Sequence, residues 1–321
     1  MSVTITLGGI TMTGGGVTFV APPPSQGTAG WYAAGGPNPT ASTVQRMIFA
    51  TDTATATIRG PLNGANYRMA GVGNFNYGWY AGGFNGNTLG VYSTVERITY
   101  ATDTATASVR GPLASSTYWA AGTGNTTDGW IGGGQVWASP PISTVQRITY
   151  ATDTATATTK GPLSSQRGTL ASTTDSTTYS WYAGGASGST VSTIDRITFA
   201  NDTATASIRG PLSGIRQNMA ATSISAYGYF AGGAGSGGGT TVDRITYATD
   251  TDTASVRGPL SLSISQASGM GDNSYGWIAG GASPVTSTVQ RITYATDTAA
   301  SDIRGPLSLA RSNGASTSGI Q

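Results

Sequence analysis

Residues 95–101, VERITYA, alternate along the chain: Val95, Arg97 and Thr99 fall on one side, and Glu96, Ile98 and Tyr100 on the other. A period of two marks a strand with one packed face. Just downstream, Ala107 and Val109 oppose Ser108 and Arg110, which predicts a second strand. The same seventeen-residue phrase recurs at 46–62, 97–113, 147–163, 196–212, 244–260 and 291–307. Its leading Arg is spaced at 51, 50, 49, 48 and 47 residues. A second phrase, GWYAGG or a close variant, precedes each copy, at 30–36, 78–83, 129–134, 180–185, 228–233 and 276–281.

One unit, 163–212, parses into four strands: a near 167–174, b at 179–185, c at 192–200 and d at 203–212, with an Asx-type turn at NDT joining c to d. Four antiparallel strands per unit of about 50 residues predict the blade of a β-propeller. Strand a is rich in small residues, such as Ala70, Gly71, Ala120, Ala121, Ala171 and Ser172, as crowding at a central axis requires. The strand-b aromatics Trp79, Trp130, Trp181, Tyr229 and Trp277 are large enough to fill the wedge between blades. The first GWYAAGG has no strand a before it, whereas the tail 307–319 matches the strand-a region at 163–175. The expected fold is therefore all-β: a six-bladed propeller over 29–321, closed by the C-terminal strand completing blade one. Ahead of it lie a β-rich arm at 1–20, with its own short repeat TLGGIT and TGGGVT, and a stiff Pro-rich linker at 21–28. An arm this short cannot bury a core, so it is expected to pair with another chain.

Composition narrows the chemistry. The chain of 321 residues has no Cys, no His, 9% charged residues and a net charge of +2. Zero Cys excludes disulfides and thiolate chemistry. Zero His excludes Ser-His-Asp systems and the usual zinc sites, so no metal or cofactor is expected. The sixteen basic residues form no run, which argues against a nucleic-acid partner. No run of 18 apolar residues predicts a membrane-spanning helix. The opening MSVTITLGGI lacks the regions of a signal peptide, so release by cell lysis is the expected route outward.

Two sets of candidate residues follow. Every unit carries an Asp (Asp52, Asp103, Asp153, Asp202, Asp250, Asp297) and a second base (Arg59, Arg110, Lys160, Arg209, Arg257, Arg304). One reading makes the Asp a cap of the c–d turn, with the bases pairing to it or to carbonyls between blades. The other makes a six-fold ring of ligand sites. A device present in every blade favours framework. The double glycines carry no GxxxxGK[ST] context, so a bend with close backbone approach is preferred over a phosphate cradle. The second set is where the units differ. The longest b–c loops, 84–94 and 135–144, add Phe84, Tyr92 and Trp137, with Tyr118 and Trp119 nearby in a d–a connection. Exposed aromatics on adjacent blades suit sugar rings or a protein partner, unless they fold back over the blade edge.

The double glycine ending strand b, the Val-x-Arg-Ile-x-Tyr strand c and the GPL…R…A lead into strand a together resemble Kelch repeats. The Trp usual in a Kelch strand d is missing from ASVRGPL, which makes this a divergent relative. The wording DRITFANDTATASIRGPLS is also similar to repeats in virion structural proteins of marine tailed phages, cyanophages in particular. That resemblance implies a non-enzymatic particle protein, present in multiple copies. It would dock on other virion proteins through 1–20 and display the propeller to a host-surface glycan or protein. The alternatives are an intracellular Kelch-type scaffold, which lacks an accompanying partner domain here, and a propeller glycosidase. A glycosidase needs placed carboxylates. Glu96 is the only Glu, and the unrepeated Asp128, Asp175, Asp252, Asp272 and Asp302 are scattered among blades.

Overall fold

A computed structural model describes the strands at 5–7, 10–13 and 16–19, and residues 27–36, 41–236 and 238–318. Six four-stranded antiparallel sheets form a closed ring. In the second blade, strand a is Ala70–Gly73, b is Tyr77–Ala81, c is Val95–Thr99 and d is Ser108–Arg110. Blades three to six repeat this order over 121–160, 171–209, 220–256 and 268–304. The first blade takes its strand a from the other end of the chain: Ala315–Ser318 pairs with Ala29–Ala33, setting Thr317 opposite Trp31. The ring is thus closed by a hydrogen-bonded sheet, and no blade is left without its inner strand.

Register explains how one phrase serves every blade. In blade two, Arg97 stands opposite both Trp79 and Ser108, and Val95 stands opposite Arg110. Trp79, Arg97 and Arg110 therefore share the face turned to blade three. Tyr80 and Ile98 occupy the other face and pack with Trp31, Val44 and Ala29 of blade one. All six clusters of buried residues straddle two neighbouring blades in this way. The hydrophobic core is therefore a set of six seams. Trp79, Trp130, Trp181 and Trp277 lie fully buried in them. A side chain that removes roughly 200 Å² from water contributes on the order of 5 kcal/mol of transfer free energy.

The arm carries three short strands, Ile5–Leu7, Ile10–Thr13 and Gly16–Phe19, joined as an antiparallel meander with Ile5 opposite Met12 and Ile10 opposite Phe19. Pairing within the arm thus satisfies its central strand. Of the linker at 21–28, residues 21–26 lie outside the described residues, as do 37–40 of the first b–c loop, 237 of the fifth and Gly319 of the tail.

Candidate functional site

The repeated charges form bolts between blades. Each Asp of the phrase ends a single turn of 3-10 helix, such as Tyr100–Thr102 before Asp103. Its Oδ2 reaches across the seam to the preceding blade, where it accepts from a strand-b aromatic and a strand-c Arg. For Asp153 the partners are Trp79 Nε1 at 2.8 Å and Arg97 at 2.9 Å, with Arg110 Nε at ion-pair distance, 3.5 Å. Asp103, Asp250 and Asp52 repeat the set with Trp31, Arg46 and Arg59, with Trp181, Arg196 and Arg209, and with Trp277, Arg291 and Arg304. Asp202 takes Trp130, Arg147 and Lys160. In the fifth blade a tyrosine replaces the tryptophan: Tyr229 donates its hydroxyl to Asp297 at 3.0 Å, beside Arg244 and Arg257. Each Asp stands at the end of the c–d turn, with its Oδ2 facing the neighbouring blade.

The backbone joins the same bolt. Gly111 N–H donates to Asp153 O, and Ala157 N–H donates to Pro112 O, each at 2.8 Å. A methyl on Gly111 would fall 2.0 Å from Ala155 O, so only glycine allows this approach. Above the carboxylate, the strand-b ring stacks on the aromatic of the next blade's 3-10 turn, Trp79 on Tyr150 at 4.0 Å. The double glycines also serve the framework. Gly82 and Gly83 have φ of +69° and +103°, and Gly83 N–H reaches Thr117 O of the next blade's approach at 2.8 Å.

The acidic or amide residue of strand c is structural too. Glu96 accepts from Gly64 N–H at 3.1 Å, and burial pushes its carboxyl above the usual range. Asp195 and Asp243 instead hold the buried Arg167 and Arg216 at 3.0 and 2.7 Å.

What remains is the axis. The strands a surround a channel of about 920 Å³. One mouth is built from the residue two positions before each strand a: Arg68, Trp119, Thr169, Asn218, Gln266 and Asn313. All six have φ between +56° and +60°, the left-handed region, and none is glycine. Each donates its N–H to the carbonyl of its counterpart one blade back, from Trp119 to Arg68 at 3.0 Å round to Arg68 to Asn313 at 2.7 Å. Six hydrogen bonds thus close a belt around the mouth. Non-glycine residues in this region carry strain of about 1 kcal/mol or more, which the belt offsets.

The belt is symmetric in its backbone and asymmetric in its side chains. Arg68 lies 4.1 Å from the Trp119 ring centroid and 4.7 Å from that of Tyr67. Tyr118, Phe84 and Trp137 extend this cluster through centroid distances of 4.8, 5.5 and 4.9 Å. Of the candidate aromatics, Phe84 and Tyr118 are buried, Trp119 is half-buried, and Trp137 is 48% exposed and stacked on Phe84. Tyr92 stands apart, its hydroxyl 2.8 Å from Thr88 Oγ1, beside a pocket of about 180 Å³ that also holds Glu96. Tyr67 and Arg68 were not among the sequence candidates. Their only sequence signal is that Arg68 fills a position held by a neutral residue in every other unit.

Arg68 is also distinctive by charge. Among the described residues, every Lys and Arg except Arg68 and Arg311 makes an ion pair. Burial lowers the basicity of the Arg68 guanidinium. Among the described residues the one carboxylate lining the channel, Asp272, follows its strand a where Arg68 precedes its own, so the two mark opposite ends. Among the described residues no cluster of His, Cys, Asp or Glu could hold a metal ion, and no helix is long and apolar enough to cross a membrane. No protein-family model and no curated protein matches the sequence.

Proposed function

We propose that this chain is a non-enzymatic structural protein of a phage particle, held by its arm at 1–20 and displaying the propeller for attachment to a host surface. The observation that carries this reading is the use made of the repeated ionisable residues. All six Asp residues of the phrase and their basic partners are spent on bolting the ring. A ring so bolted suits rigid display, and the variable residues gather at one mouth. The Kelch-like and phage-like wording of the repeats supports the same reading. So does the outer rim, where Ile58, Val109, Ile208, Val256 and Ile303 on the d strands are 50–64% exposed, as lateral contacts in a multi-copy assembly would use. A glycosidase is disfavoured because the described channel lining offers one carboxylate where two are needed. An intracellular interaction scaffold is the second reading, favoured by the exposed Trp137.

Mass spectrometry of purified particles tests the proposal. The full-length chain is expected at fixed stoichiometry, and a chain lacking residues 1–20 is expected to be absent. Normal incorporation of the shortened chain overturns the anchoring role, and absence of the intact chain overturns the particle assignment.

A further inference from the structure

We infer that the Arg68 mouth of the channel is a binding site for a carboxylate-bearing sugar, a hexuronate or a similar acidic saccharide unit. This rests on the attachment reading above and names the ligand class for it.

The charge comes first. A guanidinium with no carboxylate partner, lining a cavity, is a ready partner for an anion, and its planar fork matches a carboxylate in two hydrogen bonds. The Arg68 guanidinium makes no hydrogen bond or ion pair among the described residues, and it lies against the rings of Tyr67 and Trp119. One cation at the mouth suits one carboxylate per ligand unit.

The surroundings then select a sugar. Trp119 offers a half-buried ring beside the cation, and its Nε1 is buried without a hydrogen-bond partner. Around the rest of the rim stand Thr169, Asn218, Gln266 and Asn313, short neutral side chains that both donate and accept, as ring hydroxyls require. An acidic peptide fits less well. Peptide recognition at a sheet uses free main-chain groups, whereas the belt uses its N–H and C=O groups on itself.

The test uses the full chain and follows tryptophan fluorescence with isothermal titration of D-glucuronate, D-glucose, sodium sulfate and a short Asp/Glu peptide. Arg68→Asn is the chief variant, because Asn218 and Asn313 already hold that left-handed position in sister blades, so the belt is retained. Arg68→Lys preserves charge without the fork, and Arg311→Gln removes the other unpaired cation as a control. Saturable glucuronate binding is expected, at least tenfold weaker for Arg68→Asn, weakened also for Arg68→Lys, and unchanged for Arg311→Gln, with glucose far weaker. Equal binding to Arg68→Asn, no glucuronate binding, sulfate binding as tight as glucuronate, or tighter binding of the acidic peptide would each overturn the assignment. Particle incorporation is a separate readout, so failure here is distinguishable from failure of the particle reading.

Discussion

Trp277 in the sixth blade donates its indole N–H to the Asp52 carboxylate of the first at 2.8 Å, across 225 residues of sequence. The contact is the same as Trp79 to Asp153 between adjacent units. The seam that closes the ring is therefore built like the seams inside it.

Removing the carboxylate strands one indole N–H and two arginines. Asp153→Ala is expected to lower unfolding free energy by about 3–5 kcal/mol, the cost of breaking a buried, hydrogen-bonded pair. Asp52→Ala is expected to cost less, since Arg291 and Arg304 keep a second partner in Asp302 at 3.2 and 2.7 Å. Urea denaturation measures both. A loss below about 1 kcal/mol at either position would show that the bolt contributes little.

The glycine of RGPL is expected to tolerate no methyl. Gly111→Ala places Cβ 2.0 Å from a backbone oxygen of the next blade, so the seam must open. Overpacking of this kind costs about 1–3 kcal/mol or more. Gly64→Ala, where a methyl meets nothing within 4 Å, serves as the control with little change in Tm.

The fifth blade departs from the pattern and is open to improvement. Tyr229 and Tyr294 stack at 4.9 Å, against 4.0 Å for Trp181 and Tyr247. Tyr229→Trp restores the larger ring and the indole donor to Asp297. A gain of about 0.5–1.5 kcal/mol is expected by thermal or chemical denaturation. A loss would mean that this wedge is narrower than its counterparts.

Stability is expected to be flat near neutral pH and to fall on the alkaline side. The chain has neither His nor Cys to titrate there. Burial raises the phenols of Tyr32, Tyr80, Tyr100, Tyr150, Tyr182, Tyr229, Tyr247 and Tyr294 above the ordinary value of 10.0. Above that value the unfolded chain releases protons that the folded chain keeps. Stability present below about pH 10 is therefore lost as pH rises further. Urea midpoints between pH 6 and 11.5 check this; a constant midpoint above pH 10 would contradict it.

The ring was legible because repetition and alternation are properties of the sequence itself. Six copies of one phrase, small residues in strand a, and a tail matching the missing inner strand were enough to place Ala315–Ser318 beside Ala29–Ala33. The direction of the Asp153 carboxylate was not legible. An Asp after a short turn reads as a local cap, and its partners Trp79 and Arg97 lie 74 and 56 residues away. The aromatic group was visible in part. Phe84, Tyr118, Trp119 and Trp137 come together, whereas Tyr92 points elsewhere despite its place in the same loop. Arg68 escaped notice because nothing in its letter reveals a left-handed backbone, and the belt that sets this conformation joins residues about 50 positions apart.

The belt at the mouth has an electrical consequence. Its six peptide hydrogen bonds run nose to tail in one sense around a circle. The in-plane components of dipoles arranged in this way cancel when summed over the ring, in contrast to the aligned peptides of a helix. The frame therefore adds no net dipole in the plane of the ring, and the lateral polarity of the opening is set by six side chains, one from each blade. Exchanging those six letters would retune what the opening attracts while leaving the frame that holds them intact.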